Sequence, residues 1–578
     1  MNLQLFLAHA DDHRPVLADG LPRSLAYGAP RPDFEPPEPS ELLNRSGPAD
    51  SLREQRWGVI APKGPAGDRL LRLIEPLQRK REEEQGAPAV VYRVDPGLRF
   101  SAANAWIQQD YWKAVDRRIQ DLPRYLLVLG DADLVSWDLQ QMLGSEAYVG
   151  RLAFADDSGY QAYVEKVLRC EAEAPAEGAR ALFFSVRDGT RATVEGYRHL
   201  VAPSLDLARE GARSGWFRAA EIREIGGGEG MFTDRELAGH GQDLLREAER
   251  ARAGVLLSLS HGAGAPRRGW GAPEEQRALQ GAMVLGRSGN LLTARDIAAR
   301  PFLPGGLWFF FACFGAGTPS HSAYYPWLDR LHRLGRGSPA EQVLASLPRP
   351  GAPAFVAALP QAALANPAGP LGVIGHVDLA WTWSFFDFRD TSAGIAARRR
   401  DERFHGMLRS LADGHRLGVA HGEVSHFFCS LSTELATTYD EDTALGAAAS
   451  ADEAREAARA GLWMQRQDLS AYVLLGDPAA RLPIVQQPEG VQPPRGAAPA
   501  AALARASAIG FDAPSPAQGT EAQARDRNPR WREEAVLAVI RGADERVIAA
   551  RHGIPVAELQ RWVGAFLEAG CATLRILG

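Results

Sequence analysis

Between Trp57 and about residue 485, short apolar runs alternate with longer amphipathic stretches. Apolar runs of this length, bounded by Gly, Pro or Asp, are typical of strands buried on both faces of a sheet. The amphipathic stretches between them are typical of helices that cover such a sheet. The sequence therefore predicts an α/β fold with a mostly parallel sheet flanked by helices. The candidate strands are 57–62, 89–94, 125–131, 147–152, 181–186, 217–225, 254–262, 307–313, 354–359, 371–377 and 472–477.

The chain has 578 residues, more than one hydrophobic core usually supports, so we expect several domains. The Pro-rich stretch 1–52 has little periodicity and predicts an irregular N-terminal arm. We expect a first α/β subdomain over 53–177, which a helix over 158–173 closes, and a second, larger one over 178–485. Residues 486–530 are rich in Ala, Pro, Gln and Gly and predict a flexible linker. Residues 531–578 predict a small all-α domain with helix-turn-helix spacing.

Composition excludes several classes of partner and cofactor. The net charge of −6 gives no reason to expect nucleic acid or an anionic membrane. The four cysteines, at 170, 313, 429 and 571, form no CxxC pair, so we expect no metal site, no disulfide framework and no cofactor. Because the N-terminus lacks the features of a signal peptide and no apolar stretch is long enough to span a bilayer, we expect a cytoplasmic protein.

Two of the candidate strands end in residues that can do chemistry. One runs into His261-Gly262 and the other into Cys313. Since the carboxyl ends of parallel strands meet at one edge of a sheet, a general base and a thiol are expected side by side there. The N–H groups of Gly262 and Cys313 are candidates for stabilising an oxyanion. The alternative is that Cys313 is a buried core cysteine and His261 a polar strand end.

Short motifs in a consistent order resemble those of gingipain-type peptidases (family C25). These belong to the caspase-like clan, which also holds caspases and CHAT proteases. SLSHGAG and FFACFGAG match the clan's His-Gly and Ala-Cys strand ends. YLLVLGDADLV, AYVGRLAF, YVEKVLRCEA, VIGHVDLAW and YVLLGDPAARL are similar to further gingipain segments, and together the matches span roughly 57–485. The resemblance implies a hydrolase, a cysteine peptidase with His261 as base and Cys313 as nucleophile.

The same resemblance suggests residues for the pocket that holds the side chain before the scissile bond. It implies that Trp381 forms a wall of this pocket, although core packing is the alternative for an aromatic run. The family's pocket acid, which selects a basic residue, has no unambiguous match. The candidates are Asp138, Glu146 and Asp378. The third catalytic acid that orients His261 is not identified by the sequence.

The helical tail has two competing interpretations. A helix-turn-helix could bind DNA, but residues 531–578 carry six Arg against six Asp plus Glu and no Lys, which favours a protein-interaction module. By analogy with caspase-like proteases that carry helical adaptors, we predict a regulated intracellular bacterial endopeptidase that acts in antiviral defence or cell death. Its partners would be a protein or peptide substrate and a regulatory protein bound through 531–578. The rivals are a catalytically silent caspase-like scaffold and a DNA-binding regulator.

Overall fold

The computed structural model describes residues 2–22, 47–112, 122–227, 230–287, 289–333, 338–348, 351–391, 394–445 and 453–486. All described residues belong to one compact unit, which lies within 1–498. The predicted linker, apart from residue 486, and the predicted helical domain 531–578 lie outside the described residues, and so does 23–46 of the predicted arm.

The strands follow the predicted apolar runs closely, with several short additions. In chain order they are β1 (Asn2–Leu3), β2 (Leu7–His9), β3 (Leu21–Pro22), β4 (Trp57–Pro62), β5 (Val90–Val94), β6 (Tyr125–Leu129), β7 (Tyr148–Leu152), β8 (Ala179–Ser185), β9 (Ala219–Ile225), β10 (Gly254–Leu259), β11 (His261–Gly264), β12 (Met283–Val284), β13 (Leu291–Leu292), β14 (Leu307–Phe311), β15 (Gly317–Thr318), β16 (Phe355–Val356), β17 (Gly372–His376), β18 (Phe386–Thr391), β19 (Gly394–Arg399) and β20 (Tyr472–Gly476).

The helices fill the intervals between these strands. They are α1 (Leu52–Gln55), α2 (Pro65–Leu73), α3 (Glu75–Gln85), α4 (Phe100–Trp106), α5 (Trp137–Leu143), α6 (Asp157–Ala172), α7 (Arg191–Gly196), α8 (Ala202–Arg213), α9 (Asp234–Arg250), α10 (Pro273–Leu279), α11 (Ala294–Ala298), α12 (Tyr325–Arg333), α13 (Ser338–Ser346), α14 (Ala358–Ala365), α15 (Glu402–Ala412), α16 (Leu417–Leu445) and α17 (Glu453–Ser470). Several of them begin at a residue whose side chain caps the helix. Thr233 and Glu236 form a capping box at α9, and Asp156 caps α6.

A ten-stranded sheet organises the described unit, in the order β5-β4-β6-β7-β20-β17-β14-β10-β8-β9. Each half of the sheet is internally parallel, and the halves meet where β20 runs antiparallel to β17. The strands of the first half come from the predicted first subdomain, with β20 added. The second half contains β8, β9, β10, β14 and β17. The prediction of a mostly parallel sheet covered by helices is confirmed.

A smaller sheet lies at the carboxyl end of β10 and has the order β13-β12-β11-β2. Its last strand comes from the N-terminus, where β2 runs parallel to β11. The first part of the predicted irregular arm is thus structured and deeply buried: Leu5, Phe6 and Leu7 are all 0% exposed. Burial of three large apolar side chains explains why this short segment is held in place.

Within the described residues no helix combines the length and the apolar character needed to cross a membrane.

Candidate active site

His261 and Cys313 lie just beyond the carboxyl ends of two neighbouring parallel strands. Strand β10 pairs with β14 so that Leu259 lies opposite Phe311. Each strand is followed within two residues by its candidate catalytic side chain, so both chains leave the sheet at the same edge. Both side chains are buried, with 1% of His261 and 0% of Cys313 exposed.

The backbones of Gly262 and Cys313 touch directly. A Cβ atom at Gly262 would lie 1.9 Å from the carbonyl oxygen of Cys313, so only glycine fits there. The N–H groups of both residues donate to one acceptor, the carbonyl oxygen of Phe6, at 2.8 Å from Gly262 and 3.3 Å from Cys313. Two amides that converge on one peptide carbonyl provide the arrangement that stabilises an oxyanion.

A buried polar chain holds the other side of the His261 ring. Nε2 of His261 lies 2.8 Å from the hydroxyl of Thr190 and 4.0 Å from Oδ2 of Asp188. The Thr190 hydroxyl and the Thr193 hydroxyl both donate to Oδ1 of Asp188, at 2.7 and 2.8 Å. Since Thr190 gives its only proton to the carboxylate, it accepts one from His261 Nε2–H. The neutral ring then carries its lone pair on Nδ1, a buried atom with no hydrogen-bond partner among the described residues.

The protonation states of His261 and Asp188 follow from their burial and from the charge of the Asp188 carboxylate. Burial lowers the pKa of His261, the charge of Asp188 opposes this effect, and Arg287 adds to the lowering. Burial alone would raise the pKa of Asp188, but the imidazole and the hydrogen bonds from Thr190 and Thr193 hold it below its ordinary value. At neutral pH the pair is therefore a carboxylate and a neutral imidazole.

The thiol of Cys313 is engaged by the backbone of Ala380. The Ala380 N–H donates to Sγ at 3.1 Å, and Sγ lies 3.6 Å from the Ala380 carbonyl oxygen. Burial raises the pKa of Cys313 well above its ordinary value, against the lowering effect of the Ala380 N–H. Among the described residues no hydrogen bond joins Sγ to His261. Because burial raises the pKa of Cys313 and lowers that of His261, the thiol and the imidazole are both neutral in this conformation.

Two of the expected pocket residues lie next to Cys313. Trp381 is fully buried, and its ring packs against Tyr324 and Trp327 with centroids 5.9 and 6.2 Å away. Asp378 is 4% exposed, and its oxygens accept from the Ser322 hydroxyl and from backbone N–H groups of residues 323 and 379, each at 2.8 Å. Burial raises the pKa of Asp378. Through its hydrogen bonds to residues 322 and 323, this side chain holds the loop after Cys313 in place.

The other two expected pocket acids lie in the helix and turn that connect β6 to β7. Asp138 is in the first turn of α5, where it accepts from the N–H of Phe100 at 3.2 Å, and burial raises its pKa. Glu146 lies in the turn after α5, where its N–H donates to the Leu143 carbonyl. The contacts of the described residues do not bring either acid to His261 or Cys313.

Asp188 and Thr190 are absent from the sequence-based site. The sequence signal for them is the apolar run ALFFSV, which forms most of β8. This strand lies beside β10 in the sheet and ends at Ser185, three residues before Asp188. Among the described residues no group of three or more His, Cys, Asp or Glu is placed to hold a metal ion.

Comparisons with known proteins give only distant similarity. No family model and no curated protein matches the chain. A solved structure described as a protease is 12% identical, with a TM-score of 0.42, and the match covers 74% of this chain and 78% of that chain. The Arg-specific cysteine proteinase gingipain R is 10% identical with a TM-score of 0.38, covering 74% and 78%. The complex of Porphyromonas gingivalis RgpB pro- and mature domains is 12% identical with a TM-score of 0.38, covering 74% and 79%. These scores describe weak overall similarity, so the chemistry of the site rests on the geometry of its own residues.

Proposed function

We propose that the protein is a cysteine endopeptidase in which Cys313 is the nucleophile and His261 the base. The observation that carries this proposal is the convergence of the Gly262 and Cys313 N–H groups on one peptide carbonyl oxygen. The carbonyl group of a peptide bond bound there is polarised by these two N–H donors. One of them belongs to Cys313, the residue that also supplies the thiol. This combination is the one that acyl transfer needs.

The reaction follows from the assigned protonation states. Nδ1 of His261 takes the thiol proton, and Sγ bonds to the carbonyl carbon while the oxyanion is held by the two N–H groups. The C–N bond then breaks, the imidazolium gives its proton to the leaving amine, and a thioester remains. Water adds to the thioester with His261 again as base. Release of the carboxyl product returns the proton to sulfur.

Asp188 and Thr190 act on this reaction through His261. The hydroxyl of Thr190 accepts the Nε2 proton and so keeps the lone pair on Nδ1. The carboxylate of Asp188 stabilises the imidazolium that forms during the reaction, since it is buried and lies 4.0 Å from Nε2. We therefore assign both as positioning residues.

A silent scaffold is the second candidate, and one observation favours it. Cys313 is 0% exposed and its sulfur already has a backbone donor in Ala380. On this alternative the fold would present partners to one another, and the tail 531–578, outside the described residues, would be the docking module. Regulation through a protein bound to that tail is compatible with either candidate.

The test uses the full-length chain on fluorogenic peptides that differ only in the residue before the scissile bond, and on unfolded casein. We expect wild-type cleavage to be lost in Cys313→Ala and in His261→Ala. Cys170→Ala is the matched control, because Cys170 is also a buried free cysteine and lies on α6. Cleavage that persists in Cys313→Ala would overturn the assignment.

A further inference from the structure

The N-terminal segment Gln4–Leu7, which we name the cleft segment, crosses the candidate site as an extended strand. On one side it runs antiparallel to residues 380–382. Phe6 N–H donates to the Ala380 carbonyl and Thr382 N–H donates to the Gln4 carbonyl, each at 3.3 Å, with Leu5 opposite Trp381. Backbone pairing of this kind is the way extended peptides bind in protein clefts.

The chain continues past Phe6 along the strand that begins with His261. Leu7, Ala8 and His9 pair in parallel with Gly262, Ala263 and Gly264. The bond between Phe6 and Leu7 is therefore flanked by the backbone of the base on one side and by the Cys313–Ala380 contact on the other. Because the segment is held on both sides of this bond, a leaving fragment could not diffuse away.

The register is set by the Phe6 carbonyl oxygen. It is the acceptor of the Gly262 and Cys313 N–H groups, the position that the proposed function gives to the carbonyl of the scissile bond. Phe6 thus stands where a substrate has the residue preceding that bond. Leu7 stands where a substrate has the residue following it.

The Phe6 ring lies in an aromatic enclosure. Its centroid is 4.9 Å from the ring of Phe311, 6.4 Å from Phe385 and 6.0 Å from His261. At Gly196 a Cβ atom would lie only 3.1 Å from Cζ of Phe6, so a glycine leaves the space that the ring tip uses. An enclosure of this composition favours a large apolar side chain over a cation.

We propose that the cleft segment is a tethered substrate mimic that closes the active site, and that Phe6 reports the substrate class. That class is peptides with a large apolar or aromatic residue before the scissile bond. The substrate class rests on the proposed peptidase function, whereas the closure rests on the contacts of the segment alone. This preference for an apolar residue before the scissile bond differs from the basic residue that the sequence resemblance implied.

Closure is tested by the rate at which iodoacetamide alkylates Cys313 in the native full-length chain, followed by peptide mass spectrometry. We expect Phe6→Ala to raise this rate at least about 100-fold, because loss of a buried Phe side chain weakens packing by more than the ~2.7 kcal/mol that this factor represents. Phe6→Leu keeps a large apolar side chain and should raise the rate least. Phe6→Asp should raise it most.

Two controls separate opening of the cleft from general loosening. Phe302→Ala removes an equally buried ring that packs on Trp308, near the opposite end of β14 from Cys313. It should leave Cys313 protected, and Cys170 should stay protected in every variant. Closure is refuted by a Cys313 rate that is the same in Phe6→Ala and wild type, or raised equally by Phe302→Ala.

The substrate class is tested on the same proteins with peptides carrying Phe, Leu, Arg or Asp before the scissile bond. We expect Phe6→Ala to cleave the Phe and Leu peptides faster than wild type, and both proteins to prefer them over Arg. A preference for Arg overturns the substrate class. If Phe6→Ala exposes Cys313 but cleaves no peptide, the peptidase proposal fails while the closure stands.

Discussion

The role assigned to Asp188 leads to a quantitative expectation for Asp188→Asn. The carboxylate lies 4.0 Å from Nε2 of His261, and both groups are buried. Two charges about 4 Å apart interact by ~4 kcal/mol at the effective dielectric of a protein. Thr190 would still orient the ring in the variant. We therefore expect kcat/KM to fall between about 10²- and 10³-fold, mostly in kcat.

The assay is kcat/KM from pH 5 to 9, measured in the most active background of the Phe6 series. Asp188 raises the pKa of His261, so its removal should move the acidic limb of the profile to lower pH while the plateau falls. Thr190→Val should reduce kcat and Thr190→Ser should restore it, because only the hydroxyl contacts Nε2. A loss below about tenfold, with an unmoved acidic limb, would refute the role given to Asp188.

Three further expectations concern stability. Asp477→Asn breaks the fully buried ion pair with Arg81 and should cost about 3–5 kcal/mol in urea unfolding, whereas Asp157→Asn, at an exposed pair, should cost under about 1 kcal/mol; equal losses would contradict this. Gly262→Ala forces a Cβ to 1.9 Å from a carbonyl oxygen and should lower Tm by several degrees, and an unchanged melt would contradict the contact. Burial lowers the pKa of His405 to about 4. The stability of the protein in its neutral-histidine form is therefore complete above about pH 6.5, and the free energy of unfolding falls by about 3 kcal/mol as the pH drops towards 4. His405→Phe should be less acid-labile over that range, measured by unfolding at several pH values, and an identical pH dependence would argue against it.

The sequence predicted the sheet well because its central strands are buried on both faces. Strands such as β6 and β14 are continuous apolar runs, and that pattern is visible without knowledge of their neighbours. The antiparallel join of β17 to β20 was not predictable in this way, since the direction of β20 depends on the helices α15 to α17 that precede it. The candidate strand 354–359 contains only Phe355–Val356, because the Ala-rich sequence that follows forms α14.

The site was predictable where it depends on strand ends alone. His261 and Cys313 follow apolar strands, so the sheet edge brings them together. Asp188 also follows a strand, but its importance depends on β8 lying beside β10, and that order is a property of the fold. Asp378 illustrates the opposite case. Its position near Trp381 suggested a pocket acid, yet its oxygens are occupied by donors from the loop after Cys313.

The cleft segment could not have been recognised from the sequence, because the run NLQLFLAH is too short to show a period. The partners that place it in the candidate site, among them Gly262, Cys313 and Ala380, are more than 250 residues away. The presence of the cleft segment also explains the neutral state of the candidate pair. Burial raises the pKa of Cys313 and lowers that of His261, and Phe6 contributes to that burial through its contacts with both residues. Departure of the segment would remove the lowering effect of the Phe6 backbone on the pKa of Cys313, but it would also admit water to both groups and so weaken the larger effect of burial on both pKa values. Opening of the cleft and activation of the thiol would then be one event, set by how strongly Phe6 is held.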